Sequence, residues 1–501
     1  MKKILALVLA LLMIFPLVIS CNKKEEGGES TTAATTASTV TYDKWGREMI
    51  YSPLPSDVSY NEEEIVFLVR EGDILKGQFE TSETTPTNLS EALVNRNLAV
   101  EQRLNVKLKF EYTEAGTGNS AYNAKIIASA MGGTAEYDIA STFAYYTSGM
   151  TYQGYYYDLT KINTMYLDQP YWNQSYVEEA KFADQLYMVI GDANLLSIQN
   201  TFCMFYNKDE FAKYFPDVNL YDIVKSGNWT ADYFYALSKD IYVDTRANNQ
   251  ADEDDYYGLV TSTHSFNIDA FFAAYGLKIC TKNSEGIPEL TLNSEKTINA
   301  YDDVYEYLYE SKGVYLFNAN EYENARTSFK ESRAVFAVDM LRCGQDFTKN
   351  MTANFGVLPL YKASTDQESY TSTPQDSYDA FAILANVGED RAQMLGAVLE
   401  IMSYESYLNV RPEYFEVVTK LMYSNDAEDS KMYDIIIDSI YFDFGMINSY
   451  AISQPNLGHL WRTLLAGGVE TFSSVYALNA TNYENGLEAY LDYFTEMQGL
   501  E

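Results

Sequence analysis

The chain has 501 residues, with 71 Asp and Glu against 35 Lys and Arg and a formal net charge of −36. That balance argues against a nucleic-acid partner, since a phosphate backbone calls for a dense cationic face, and 47% hydrophobic content with 15% aromatic excludes a disordered chain. With only two histidines, and Cys203, Cys280 and Cys343 widely spaced beyond Cys21, there is no zinc pattern, disulfide framework or HExxH helix, and no GxSxG elbow appears.

In chain order, Lys2-Lys3 precede an apolar run from Ile4 to Ile19, the pattern of a secretory signal over residues 1–20. Its ending, Val18-Ile19-Ser20-Cys21, resembles the bacterial lipobox, which implies lipidation of Cys21 and a membrane contact through acyl chains alone. Residues 21–60 are then expected to be the lipidated Cys and a flexible tether, because the Lys/Glu/Gly and Ser/Thr/Ala stretch to about Thr41 has no periodicity. Ile65–Val69 is a continuous apolar run, as for a strand buried on both faces. Leu89, Leu93, Val94 and Leu98 predict one face of a helix, with Thr87 and Asn88 as cap candidates, and Val106, Leu108 and Phe110 alternate with lysines as a strand does. This βαβ order predicts a mostly parallel α/β sheet. A helix through Ala121–Met131 stops at Gly132-Gly133, a strand resumes at Tyr137–Ala140, and further helices are predicted over 299–311, 390–404 and 431–440.

Several stretches, in order, resemble the carbohydrate-binding, maltose-binding-protein-like branch of the extracellular solute-binding lipoproteins of bacterial ABC importers. They are Asp43–Glu48, Asn95-Arg96-Asn97, Glu101–Val106, Leu186-Tyr187 with Gly191-Asp192, Phe205–Lys208, Phe355–Leu360, Val410–Tyr414, and Pro455-Asn456 through Trp461-Arg462. The resemblance implies a two-lobe (type II) periplasmic-binding-protein fold, each lobe a mostly parallel sheet flanked by helices, with ligand held between lobes that close by a hinge. On this reading lobe 1 is 61–199 plus 360–420 and lobe 2 is 200–359 plus 421–501. Crossings are expected near Asn200, near Pro359-Leu360 and around 415–422. A contiguous lobe followed by a helical domain is the alternative. The implied protein is no enzyme and uses no cofactor. It binds a sugar or oligosaccharide, serves ABC permease subunits, is a monomer, and sits at the outer face of the cytoplasmic membrane by its lipid anchor. A peptide or other polar solute, or a surface glycan-binding role without transport, are the rival readings.

A sugar presents an apolar C–H face, which stacks on aromatic rings, and a hydroxyl rim, which needs oriented polar groups. The 45 tyrosines suit such half-polar surfaces, though most of them are expected to be ordinary packing. Ligand groups should come from loops at the ends of strands. By position these are Asp73, Tyr145, Tyr146 and Asp192 from lobe 1, and His264, Phe266, Asp339, Arg342 and Trp461 from lobe 2. Trp461 lies where the resemblance places a stacking aromatic, and it could equally anchor a helix, since Leu460, Leu464 and Leu465 pattern around it. Trp229 reads instead as a hydrophobic staple, with Thr230 as N-cap and Phe234 at N4. Relatives often carry a calcium-loop-like segment at Asp244–Asp255, but Arg246 and Asn249 stand at its third and sharp-turn positions, so no metal is expected there.

Overall fold

A computed structural model describes residues 41–42, 47, 49–82, 85–132, 136–415, 427–453 and 456–499. The expected signal, Cys21, Trp45, and the third crossing beyond Phe415 lie outside the described residues. Among the described residues, no helix is long and apolar enough to cross a membrane. The chain divides into residues up to Ile50 and a second unit, Tyr51–Glu501.

Two sheets organise the second unit. Strands β1 (Glu63–Arg70), β2 (Val106–Thr113) and β3 (Ile139–Phe143) belong to the first, which β12 (Asp379–Ile383) completes in the order β12-β3-β1-β2. Strand β1 runs parallel to both β2 and β3, and β12 is antiparallel. The apolar run Ile65–Val69 is the centre of this sheet; Phe67 is fully buried and packs against Phe79, Phe110 and Phe381.

The second sheet has β4 (Phe202–Asn207), β5 (Tyr242–Val243), β6 (Tyr256–Ser262), β9 (Val314–Phe317), β10 (Ala334–Met340) and β11 (Phe355–Leu358); a separate hairpin joins β7 (Cys280–Lys282) and β8 (Pro288–Leu290). Strand β6 is parallel to β9 and β10, but β4 is antiparallel to β10 and β11. The expected parallel character therefore holds for the interior of this sheet and breaks at β4, the strand that enters from the other lobe. Trp229, Phe234, Phe336 and Tyr361 fill the adjoining core. Trp229 is fully buried, Thr230 accepts from the Tyr233 amide, and the Trp229 and Phe234 rings meet at 5.6 Å, the geometry of a staple.

Four expectations need correction. The first concerns the tether, whose expected end at residue 60 is too late. Leu54 is buried, Arg103 donates to the carbonyls of Val58 at 3.0 Å and Leu54 at 3.3 Å, and the Tyr60 amide donates to Leu104. The second is the helix Thr87–Leu104, which buries Leu89, Leu93, Arg96, Val100 and Leu104 while Val94 and Leu98 are 45% exposed. Arg96 joins the buried face because it donates to the carbonyls of Gln78 and Phe79.

The third is the return crossing. After β11 the chain stays with the second sheet, where Lys362 exchanges backbone hydrogen bonds with Trp229 and Ala231. It returns at 372–377, where Thr373 accepts from the Phe202 amide and Asn200 accepts from Gln375. The two crossing segments, 199–202 and 372–377, thus lie side by side. The fourth is residues 442–452, expected in lobe 2. Phe442 and Ile447 pack with Leu68, Ala140 and Ala380 of the first sheet, and the helix Phe444–Ile452 lies against the helix Ala144–Tyr152. The long helix Phe472–Gly499 crosses it at Gly486, where a β-carbon would sit 1.9 Å from the Ile452 carbonyl oxygen.

Candidate functional site

Strands β1, β3, β6 and β10 end beside the crossing segments, and their following residues form the facing walls of the lobes. On the first wall, β1 ends at Arg70, which pairs with the buried Asp379, donates to the Ser377 carbonyl at 3.0 Å, and lays its guanidinium 4.4 Å over the Phe143 ring. Phe143 closes β3, and Tyr145 and Tyr146 begin the next helix. Tyr146 is half-buried and stands edge-on to Phe143 at 4.9 Å and to Tyr450 at 5.3 Å; Tyr450 is 38% exposed. Tyr145 is buried and stacks on His459 at 4.4 Å.

His459 leads into a charge network on the return crossing. Its Nε2 lies 3.1 Å from Asp376, which also takes a 2.7 Å ion pair from Arg462, and Arg462 donates to Asp269 at 2.9 Å. Burial alone would raise the Asp376 carboxyl, but Arg462 and His459 hold it well below the usual carboxylate range.

On the second wall, His264 and Phe266 follow β6 and form an aromatic cluster with Tyr322, the ring centroids 4.2 to 5.1 Å apart. The Phe266 amide donates to His264 Nδ1 at 3.1 Å, which suits a neutral imidazole. Burial, then the nearby Arg462 and Arg326, depress the His264 pKa and keep it so. Arg342, after β10, places its guanidinium carbon 5.8 Å over Phe266. Gln375 of the return crossing donates to Ser265 Oγ at 3.2 Å.

A cavity of about 340 Å³ opens between the walls, with Asp73, Ile74 and Leu89 on the first-sheet side and Arg342 and Gln345 on the second. Gln199, at the first crossing, also lines it, and its Oε1 is buried with no hydrogen-bond partner. A smaller cavity of about 40 Å³ lies at the return crossing, bordered by Tyr145, Asp269, Asp376, Trp461 and Arg462.

No family model matches the chain, and no curated protein matches it in sequence. Solved structures do. A cyclo/maltodextrin-binding protein complexed with maltotetraose matches with TM-score 0.54 at 13% identity, covering 88% of this chain and 98% of that one. The GacH receptor of Streptomyces glaucescens GLA.O, solved unliganded and with acarbose, matches with TM-score 0.52 at 16% identity over 87% and 99%. UgpB from Mycobacterium tuberculosis, in complex with glycerophosphocholine, matches with TM-score 0.51 at 15% identity over 86% and 99%. This chain has the two-lobe periplasmic-binding-protein fold.

Within the binding-protein fold, the residues singled out from sequence separate into two groups. Tyr145, Tyr146, His264, Phe266, Arg342 and Asp73 lie on the walls or in the larger cavity. The other three are engaged in structure. Trp461 is 3% exposed and meets Phe272 and Tyr301 edge-on at 5.5 and 5.2 Å, so it is a core anchor and not an open stacking platform. Asp339 is 1% exposed and clamped by Arg326, with contacts of 2.6 and 2.9 Å. Asp192 is paired with Arg411 at 3.3 Å.

Sequence reasoning misses Asp376, His459, Tyr450, Tyr322, Gln199 and Gln345. His459 carries a signal, as one of two histidines in the chain. Asp376 carries none, because its segment reads as part of a lobe and not as a crossing.

Proposed function

We propose that the protein is an extracytoplasmic receptor that captures a sugar or oligosaccharide between its lobes and delivers it to an ABC permease, with no chemistry of its own. One observation carries this. Aromatic faces and polar groups from both lobes converge beside two adjacent crossing segments, and a cavity bordered by Asp73, Gln199, Arg342 and Gln345 opens between the walls. Tyr146 and Tyr450 offer ring faces and edges for a sugar's C–H surface, and Asp73, Arg342 and Gln345 offer groups for its hydroxyls. Closure would rotate the walls about 199–202 and 372–377, and ligand bridging both walls would favour the closed form. Cys21 supplies the anchor, and the receptor acts as a monomer. The sugar-bound neighbours support this reading, while the glycerophosphocholine complex is a case of the same fold holding another polar solute.

The deciding experiment is a thermal-shift screen against mono- and oligosaccharides with peptides as controls. Ligand at a hundredfold excess over Kd adds about 2.7 kcal/mol of apparent stability. A shift with one glycan class is expected, and Tyr146→Ala should then weaken binding by about 1–2 kcal/mol in calorimetry. A response to peptides alone would overturn the sugar reading.

A further inference from the structure

The cavity between Asp73 and Arg342 differs chemically from the rest of the interlobe surface. Carboxylates outnumber Lys and Arg 71 to 35 in this chain, and other buried or half-buried arginines are occupied, Arg96 by the Gln78 and Phe79 carbonyls and four more by carboxylates. Arg70 is taken by Asp379, Arg326 by Asp339, Arg411 by Asp192, and Arg462 by Asp269 and Asp376. Arg342 is half-buried, borders the cavity, and forms no ion pair among the described residues; its Nη2 reaches only the Met340 sulfur, at 3.7 Å. A thioether is a weak acceptor, so the guanidinium's donors are left almost wholly unspent.

Two carboxamides border the same space. No hydrogen bond engages the Gln345 side chain among the described residues, and Gln199 has its buried Oε1 unmet. Asp73, on the facing wall, is already engaged. The volume of about 340 Å³ falls in the range of small-molecule sites. A planar fork of N–H donors flanked by amide N–H groups is matched by a carboxylate, which it binds bidentately. A hydroxyl beside that carboxylate would satisfy Gln199 Oε1.

We infer that this cavity takes the carboxylate of an acidic sugar, so that the solute is a uronic acid or an oligosaccharide that carries one. The inference rests on the receptor reading and narrows it. Arg342 provides the fork, Gln345 and Gln199 flank it, and Phe266 supports the guanidinium from behind. Gln199 belongs to the crossing, so the ligand's acidic end would engage the hinge and the second wall together.

The test is calorimetry of the full chain with galacturonate, glucuronate and mannuronate as mono- and disaccharides, each beside its neutral counterpart, with glutarate as a carboxylate that is not a sugar. One uronate should bind at least about tenfold more tightly than its neutral counterpart, an ion-pair-sized preference. Arg342→Gln should weaken the uronate at least about tenfold more than its neutral counterpart, and Arg342→Lys should keep part of the preference, both with unchanged melting temperature. Neutral sugars binding as tightly as every uronate would overturn the inference and leave the receptor reading standing. So would an Arg342→Gln loss equal for both classes. Glutarate binding as well as the best uronate would remove the sugar from the inference while keeping the anion. Binding of peptides alone, or of no probe by the folded protein, would overturn both readings.

Discussion

The charge network around Arg462 and the cavity beside Arg342 lie near the same hinge and have opposite chemistry. In the first, Arg462, Asp269, Asp376 and His459 satisfy one another, and Tyr145 covers them. In the second, the Arg342 guanidinium and the Gln345 amide border open space, and Gln199 beside them has a buried Oε1 without a partner. A buried polar group without a partner costs about 1–3 kcal/mol. The charges of the network meet one another, whereas on the receptor reading the donors left unspent beside Arg342 await a ligand. The network lies on the return crossing, and the cavity is where the proposed receptor would select its solute.

That contrast can be broken from either side. The largest effect is expected at Trp461, which borders the smaller cavity at the network. Because it packs in the core, Trp461→Ala should destabilise the fold by about 3–5 kcal/mol, read by chemical denaturation. Loss of sugar affinity at unchanged stability would return it to the binding surface.

A second test concerns Glu400, a buried carboxylate satisfied without any cation. Tyr171, the Trp172 indole at 3.0 Å and the Tyr166 amide at 3.0 Å all donate to it. Burial pushes its pKa up to about 7, the donors offsetting only part of the rise. In the unfolded chain it titrates near 4.3, so the folded form binds the proton more tightly. Its contribution to stability is therefore fully present below that lower value and is lost as pH rises through about 7, by roughly 3–4 kcal/mol in all. Glu400→Gln should flatten this part of the stability profile; an unchanged slope would show that the carboxylate is ionised in the fold. The smallest effect belongs to Gln199→Leu. Removing an unmet acceptor should leave stability within about 0.5 kcal/mol, or raise it, while ligand affinity falls. A marked loss of stability would mean that the amide is structural.

How far the sequence anticipates this molecule depends on what each segment must bury. Ile65–Val69 and the staple at Trp229 are legible because burial leaves a local pattern of apolar residues and caps. The exposed Val94 and Leu98 mislead, since the true buried face carries Arg96, whose burial depends on the carbonyls of Gln78 and Phe79 far from its own turn. The return crossing at 372–377 is polar and forms only a short pairing, so no periodicity marks it. Without it, Asp376 cannot be placed beside His459. Asp339 lies in β10 and Asp376 shortly before β12, and only the partners brought by distant segments separate a clamp from a wall.

The segment Tyr51–Asn61 carries a mechanical consequence. It is fastened to Arg103, Leu104 and Asn105, at the end of the first sheet where β1 and β2 begin. The cleft residues gather where β1 and β3 finish. Strand β1 has eight residues, so roughly 26 Å of sheet separates the two ends at about 3.3 Å per residue. A pull exerted through the chain before Tyr51 would therefore be met first at Ser52, bonded to Tyr171 and Tyr404, and then by the Arg103 clasp. None of these partners belongs to a crossing segment, so a tethered receptor of this build would leave its hinge unloaded.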